Sequence, residues 1–257
     1  MSFKVYIPAR FAATRLPGKP LLDIAGKPLI QHVWERACDS GASEVVIAAD
    51  DERIVRAAQF FGATACLTSP DLASGTDRIA AAVKDRAEVP DTVIVNLQGD
   101  EPLMPAVVIR QVAERAGDDD CHIATVCEPL REEQVFDPNV VKVVRDSNQC
   151  ALYFSRAPIP WDRNAFNACV EGQAVPNLQQ YRRHVGIYGY TADYLARFVA
   201  LPAAEIEQIE LLEQLRALAQ GARIAVPDAV ADCGTGVDTP ADLARVRASG
   251  MLSERGR

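Results

Sequence analysis

The 257-residue sequence has no Cys-x-x-Cys pair, no apolar run long enough to cross a bilayer and only three histidines. Each shortage removes a class of function. Its seven cysteines (Cys38, Cys66, Cys121, Cys127, Cys150, Cys169 and Cys233) are odd in number and scattered, the pattern of reduced thiols in a cytosolic protein rather than a disulfide framework. The same spacing argues against structural zinc. His32, His122 and His184 have neither metal-ligand nor triad spacing, and a Gly-x-Ser-x-Gly elbow is absent, so nucleophilic hydrolysis has no visible machinery. The apolar stretch Val5 to Ala9 is cut short by Arg10, too soon for a signal-peptide core, and a cytoplasmic location is expected. A net charge of −8 gives no dominant basic surface, so neither nucleic acid nor an anionic membrane is an expected partner.

What is present is an ordinary soluble composition, 49% hydrophobic and 24% charged, in a chain long enough to bury a large core. Short β-rich runs alternate with helix-period segments, which predicts an α/β fold with a mostly parallel sheet covered by helices. Expected strands are Lys4 to Pro8, Val45 to Ala49, Thr64 to Leu67, Thr92 to Leu97, Ile123 to Val126, Ile187 to Tyr190 and Ile224 to Val226. Expected helices run from Pro28 to Gly41, Asp51 to Phe61, Thr76 to Ala87, Val107 to Ala116, Glu205 to Gln220 and Pro240 to Ala248, the last capped near Asp238 or Thr239. Val140 to Arg145 and Ala151 to Ser155 flank Asp146-Ser147-Asn148 and read as a hairpin. Asp162 to Asn177 lacks clear periodicity and reads as a mobile loop. Without repeats or a long linker, residues 1–257 are expected to form one domain with a hairpin elaboration.

Charge is unevenly placed. Residues 1–36 carry a local balance of +4, although the whole chain is at −8. Arg10, Arg15 and Lys19 follow the first strand in one short loop shaped by Pro17 and Gly18. Three cations so close repel unless an anion lies between them, and a polyphosphate would satisfy all three; the bland alternative is a solvated basic loop. Asp100 follows the apolar strand ending near Leu97, and Asp238 lies in Gly234-Thr235-Gly236-Val237-Asp238. A carboxylate at a strand end suits Mg2+, which takes one or two carboxylates with waters and substrate phosphates. Singly, Asp100 could shape a turn and Asp238 could cap the last helix; together with the cationic loop they suggest a phosphate and metal constellation. Pro17-Gly18-Lys19-Pro20 lacks Walker spacing, and the two C-terminal glycines lack the third needed for a dinucleotide fingerprint.

Seven segments carry a resemblance: Phe3 to Pro20 (FKVYIPARFAATRLPGKP), Ser74 to Arg78 (SGTDR), Asn96 to Pro102 (NLQGDEP), Ala151 to Arg163 (ALYFSRAPIPWDR), His184 to Tyr190 (HVGIYGY), Glu210 to Arg216 (ELLEQLR) and Gly234 to Leu243 (GTGVDTPADL). In this order, over nearly the whole chain, they resemble the bacterial 3-deoxy-manno-octulosonate (Kdo) cytidylyltransferases. The resemblance implies a three-layer α/β/α fold of the nucleotide-diphospho-sugar transferase kind, related to the Rossmann fold. It also implies transfer of CMP from CTP to Kdo for lipopolysaccharide synthesis, and a homodimer, for which the hairpin at 140–155 with Tyr153 and Phe154 is the candidate interface. Arg10, Arg15 and Lys19 would clamp the triphosphate, Arg10 and Lys19 with catalytic roles, and Asp100 and Asp238 would hold Mg2+. Arg78 and Gln98 would lie beside the nucleotide, with Gln98 also reaching the sugar. His184, Tyr188, Glu213 and Gln214 match the wall expected to hold the acidic sugar. Ala241 departs from the pattern, an acidic residue being common there, and residues 165–180 carry none of the segments on which the resemblance rests.

Overall fold

The computed structural model describes residues 2–12, 16–118, 120–170, 178–250 and 252. Along the chain come β1 (Phe3–Ala9), the two-residue strands β2 (Asp23–Ile24) and β3 (Lys27–Pro28), α1 (Leu29–Asp39), β4 (Glu44–Ala49), α2 (Glu52–Phe60), β5 (Thr64–Leu67), α3 (Gly75–Asp85), β6 (Val93–Asn96) and α4 (Ala106–Ala116). There follow β7 (Ile123–Pro129), β8 (Lys142–Arg145), β9 (Ala151–Ser155), α5 (Arg163–Val170), β10 (Arg182–Thr191), α6 (Ala192–Ala200), α7 (Glu205–Glu210), α8 (Gln214–Ala219), β11 (Ile224–Ala225) and α9 (Pro240–Ser249). Helix starts are written in the local chemistry. Asp51 caps α2 by accepting from the Arg53 amide, while Ser74 with Asp77 and Thr239 with Asp242 form reciprocal capping boxes on α3 and α9. Gly41, at φ +83°, takes the left-handed turn that ends the α1 segment.

The chain divides into two compact units. The first comprises Met1–Asp118, Ile187–Val199 and Val230–Arg257, and the second Asp119–Gly186 and Ala200–Ala229. In the first, β6, β1, β4 and β5 lie parallel in that order, and the second half of β10 pairs antiparallel with β6. The central strand β1 is almost fully buried, with Val5, Tyr6 and Ile7 at 0% exposure. That is why it reads as an apolar run and not as an alternation. A separate apolar cluster of Ile24, Leu29, Val237, Leu243 and Val246 packs the start of α1 against α9 and the segment leading into it.

In the second unit β7 pairs parallel with β11, and β8 pairs antiparallel with both β9 and the first residues of β10. The β8–β9 pair is the expected hairpin, but Phe154 is fully buried, edge-on to His184, and Leu152 is the exposed apolar residue of β9. Phe154 therefore faces the core and not an outer surface. Three further expectations are corrected. Within the stretch read as a loop, residues 163–170 form α5, started by Asp162, whose carboxylate accepts from the Asn164 and Ala165 amides, and anchored by Phe166 among Leu130, Val135 and Tyr181; residues 171–177 lie outside the described residues. The single helix expected over 205–220 is two, broken at Leu211, whose φ is +52°. Glu210, at the end of α7, is drawn to the Ser155 hydroxyl and the Arg156 amide, while Arg216 of α8 folds back onto Glu207. Finally, β10 starts at Arg182, five residues earlier than its apolar pattern.

Candidate active site

The site grows from the carboxyl ends of β1 and β6, where parallel strands deliver their loops. After β1 the chain turns at Phe11, which is held three ways. Its amide donates to Asp50 Oδ1 at 2.8 Å, its carbonyl accepts from the Gly18 amide at 3.0 Å, and the Arg53 guanidinium lies 3.4 Å from its ring centre. Gly18, at φ +68°, then starts a one-turn 3-10 helix, Lys19–Leu21, that presents the Lys19 side chain. Lys19 Nζ donates to Asp100 Oδ2 at 2.6 Å and to Asp238 Oδ1 at 3.0 Å. Burial works to lower the pKa of this ammonium, but the two carboxylates outweigh it and hold the value above that of an ordinary lysine.

Asp100 and Asp238 are far apart in sequence and are brought together by backbone. The Val237 amide donates to the Asp100 carbonyl at 2.8 Å, and a side chain at Gly236 would meet Glu101 Oε1 at 2.8 Å, so the C-terminal loop lies flat against the turn after β6. Burial of Val237 beside Leu29 and Leu243 keeps it there. A cavity of about 380 Å³ results, lined by Arg10, Lys19, Gln98, Asp100 and Asp238 together with Pro8, Gly75 and Gly99. Arg10 donates through Nη2 to the Leu72 carbonyl, and its buried Nε has no hydrogen-bond partner.

Two residues that pattern alone does not single out support this wall. Asn96 is fully buried and accepts from Gln98 Nε2 at 3.0 Å, fixing the orientation of the Gln98 amide. Asp50 holds the Phe11 amide and faces Arg78 Nη2 at 3.6 Å. The only sequence signal for Asp50 is an acid directly following the apolar strand β4. Arg78 is fully buried, bonds Thr68 and the Ser69 carbonyl, and is not among the residues lining the cavity. Desolvation lowers its pKa, and Arg10 adds to the effect. Arg15 lies outside the described residues.

Of the remaining expected site residues, Tyr188 belongs to the first unit, in register with Asn96, and is partly buried. His184, Glu213 and Gln214 belong to the second unit. Gln214 is buried with Nε2 lacking a hydrogen-bond partner. His184 is buried with Nε2 3.0 Å from Thr125 Oγ1, and desolvation pushes its pKa down to about 3. The native state therefore holds this ring neutral where the unfolded chain, with the ordinary value of 6.5, takes up a proton. Stability is unaffected above that value and falls as the pH drops below it, by about 2 kcal/mol at pH 5. Urea unfolding at pH 7.5 and pH 5 is expected to show this loss in the native protein and a smaller one in His184→Gln; equal losses would remove the neutral buried imidazole.

Cations, two carboxylates and a cavity at the carboxyl edge of a parallel sheet define a phosphate-handling α/β protein. The fold is similar to that of a nucleotidyl transferase from Methanothermobacter thermautotrophicus, with a TM-score of 0.60 at 16% identity over 96% of this chain and 97% of that one. The family model for cytidylyltransferases matches residues 5–224. A 3-deoxy-manno-octulosonate cytidylyltransferase of Methylococcus capsulatus is 52% identical over 248 residues, 95% of each chain. A solved CMP:2-keto-3-deoxy-manno-octonic acid synthetase complexed with CTP superposes with a TM-score of 0.85 at 43% identity, covering 97% of this chain and 98% of that one. The chain belongs to the cytidylyltransferase family.

Proposed function

We propose that this protein transfers CMP from CTP to the anomeric hydroxyl of Kdo, giving CMP-Kdo and pyrophosphate for lipopolysaccharide synthesis in the cytoplasm. The observation that carries the reading is the single ammonium of Lys19 bonded to both Asp100 and Asp238 inside a cavity that Arg10 and Gln98 also line. The close relatives named above support the substrate pair.

The sugar oxygen forms a bond to the α-phosphorus as the bond to the bridging oxygen breaks, the hydroxyl proton departs and pyrophosphate leaves. Chemistry of this kind asks for positioning and charge neutralisation rather than a protein nucleophile. Arg10 and Lys19 neutralise the phosphates and the departing pyrophosphate, Arg15 is assigned to the nucleotide, and Arg78, buried against Thr68, Ser69 and Asp50, supports the nucleotide site from behind its lining. Asp100 and Asp238, two oxygen donors that already share one cation, fit Mg2+, which when bound supplies Lewis acidity at the phosphate. Gln98, held by Asn96, is assigned to nucleotide and sugar, and Tyr188, His184, Glu213 and Gln214 to the sugar; the orphaned Gln214 amide supports its own assignment.

Incubation with CTP, Mg2+ and a panel of acidic sugars, with pyrophosphate measured, tests the reading. Release is expected with Kdo. Release with sialic acid instead would make the protein a CMP-sialate synthetase, and CTP binding without release would leave a nucleotide-sensing module. A homodimer through the hairpin at 140–155, where Leu152 is exposed, belongs to the same proposal. A monomer mass by light scattering at micromolar concentration would remove it.

A further inference from the structure

Lys19 already occupies the two carboxylates assigned above to a divalent ion. Its Nζ lies 2.6 Å from Asp100 Oδ2 and 3.0 Å from Asp238 Oδ1, with the lysine side chain 15% exposed. An ammonium bonded to both carboxylates at these distances competes with a second cation for them, and repulsion between the two cations opposes simultaneous occupancy. The lysine also has somewhere to go. It sits on a one-turn helix with a flexible four-carbon stem, in a cavity that Arg10 also lines, so an anion there would draw both cations toward itself.

We propose that Lys19 is a tethered counter-ion that competes with the metal for Asp100 and Asp238 and yields the pair only when triphosphate oxygens take its ammonium. Metal and nucleotide then bind with positive coupling. Nucleotide removes the competitor, and by linkage the metal eases lysine toward the phosphates by the same factor. The protein alone holds metal weakly, and the pair of carboxylates does not lie idle as two uncompensated charges while it waits. This inference rests on the assignment of Asp100 and Asp238 as metal ligands made above.

The test is Mn2+ binding to the full chain without nucleotide or sugar, with free Mn2+ counted by electron paramagnetic resonance. Lys19→Met, which keeps the stem and removes the charge, is expected to bind Mn2+ about tenfold more tightly than the native protein, within the usual range of coupling between sites. Lys19→Arg keeps the charge and is expected to bind as weakly as the native protein. Affinity in Lys19→Met equal to or below native overturns the competition. Asp100→Asn in the Lys19→Met background is expected to abolish the tight site; Mn2+ binding that survives both this change and Asp238→Asn would place the ion elsewhere, so that the ligand assignment itself fails. Should Lys19→Met fold poorly, Lys19→Gln serves, and Mn2+ is expected to raise its melting temperature more than that of the native protein; an equal or smaller rise counts against the proposal.

Discussion

Replacing Asp100 by Asn is expected to lower kcat/KM for pyrophosphate release by about a thousandfold, on the order of 4 kcal/mol of transition-state stabilisation. The substitution keeps the shape of the side chain and removes its charge, so the donor pair that fits a metal loses half its anionic character. Folding is not expected to suffer. The Asp100 side chain is 28% exposed, and the contact that ties the C-terminal loop down is made by the Asp100 backbone carbonyl, which the substitution leaves in place. Asp238→Asn is expected to match it in activity, with the stability change smaller still because that side chain is 50% exposed. The double variant is expected to lose little beyond either single one, since two ligands of one ion act as a unit. Steady-state pyrophosphate release paired with urea unfolding measures both quantities, and near-native turnover in both single variants would end the assignment.

The convergence of Arg10, Lys19, Asp100 and Asp238 was legible because each sits at a loop following an apolar strand or beside a helix cap, features that local pattern records. Parallel strands then do the rest, since they deliver all such loops to one edge. Support for the wall was not legible in the same way. Asn96 is an amide at the end of an apolar run, and only the pairing of β6 with β1 and β10, which buries it completely, turns it into the acceptor that orients Gln98. Arg78 follows a helix start and looks like any basic residue on an exposed turn; its burial depends on Thr68, Ser69 and Asp50 arriving from two other loops.

Helix breaks are similarly non-local. Glu205 to Gln220 has a helical period throughout, yet Leu211 adopts a left-handed conformation because Glu210 is engaged by Ser155 and Arg156, more than fifty residues away. Such a conformation costs a leucine on the order of 1 kcal/mol, which two charge-assisted hydrogen bonds outweigh. In residues 163–170 the reverse occurs. One buried aromatic, Phe166, packed among Leu130, Val135 and Tyr181, supplies the tertiary contact that a short helix without strong periodicity requires.

Gly99→Ala is expected to damage both stability and activity, whereas Gly236→Ala, two residues before the other carboxylate, is expected to be nearly silent. A Cβ at either position meets an oxygen too closely, at 2.7 Å for Gly99 and 2.8 Å for Gly236. The identity of the oxygen decides the outcome. At Gly236 it is Oε1 of Glu101, the far end of a flexible side chain that a rotamer change can move. At Gly99 it is the backbone carbonyl of Pro8 in the central strand β1, with Ile30 Cδ1 at 3.3 Å closing the other side. Neither neighbour can retreat without shifting β1 or the packing of α1, and overpacking of this kind costs about 1 to 3 kcal/mol. Relief by moving the turn instead would carry Asp100 away from Lys19 and Asp238, and a misplacement of about 1 Å at a reacting centre costs about a hundredfold in rate. Gly99→Ala is therefore expected to lose stability by urea unfolding and, in the fraction that stays folded, about two orders of magnitude in kcat/KM, with Gly236→Ala within about 0.5 kcal/mol and a few-fold of native. Equal behaviour of the two alanine variants would mean that the close approach of the β6 turn to β1 does not set the position of Asp100.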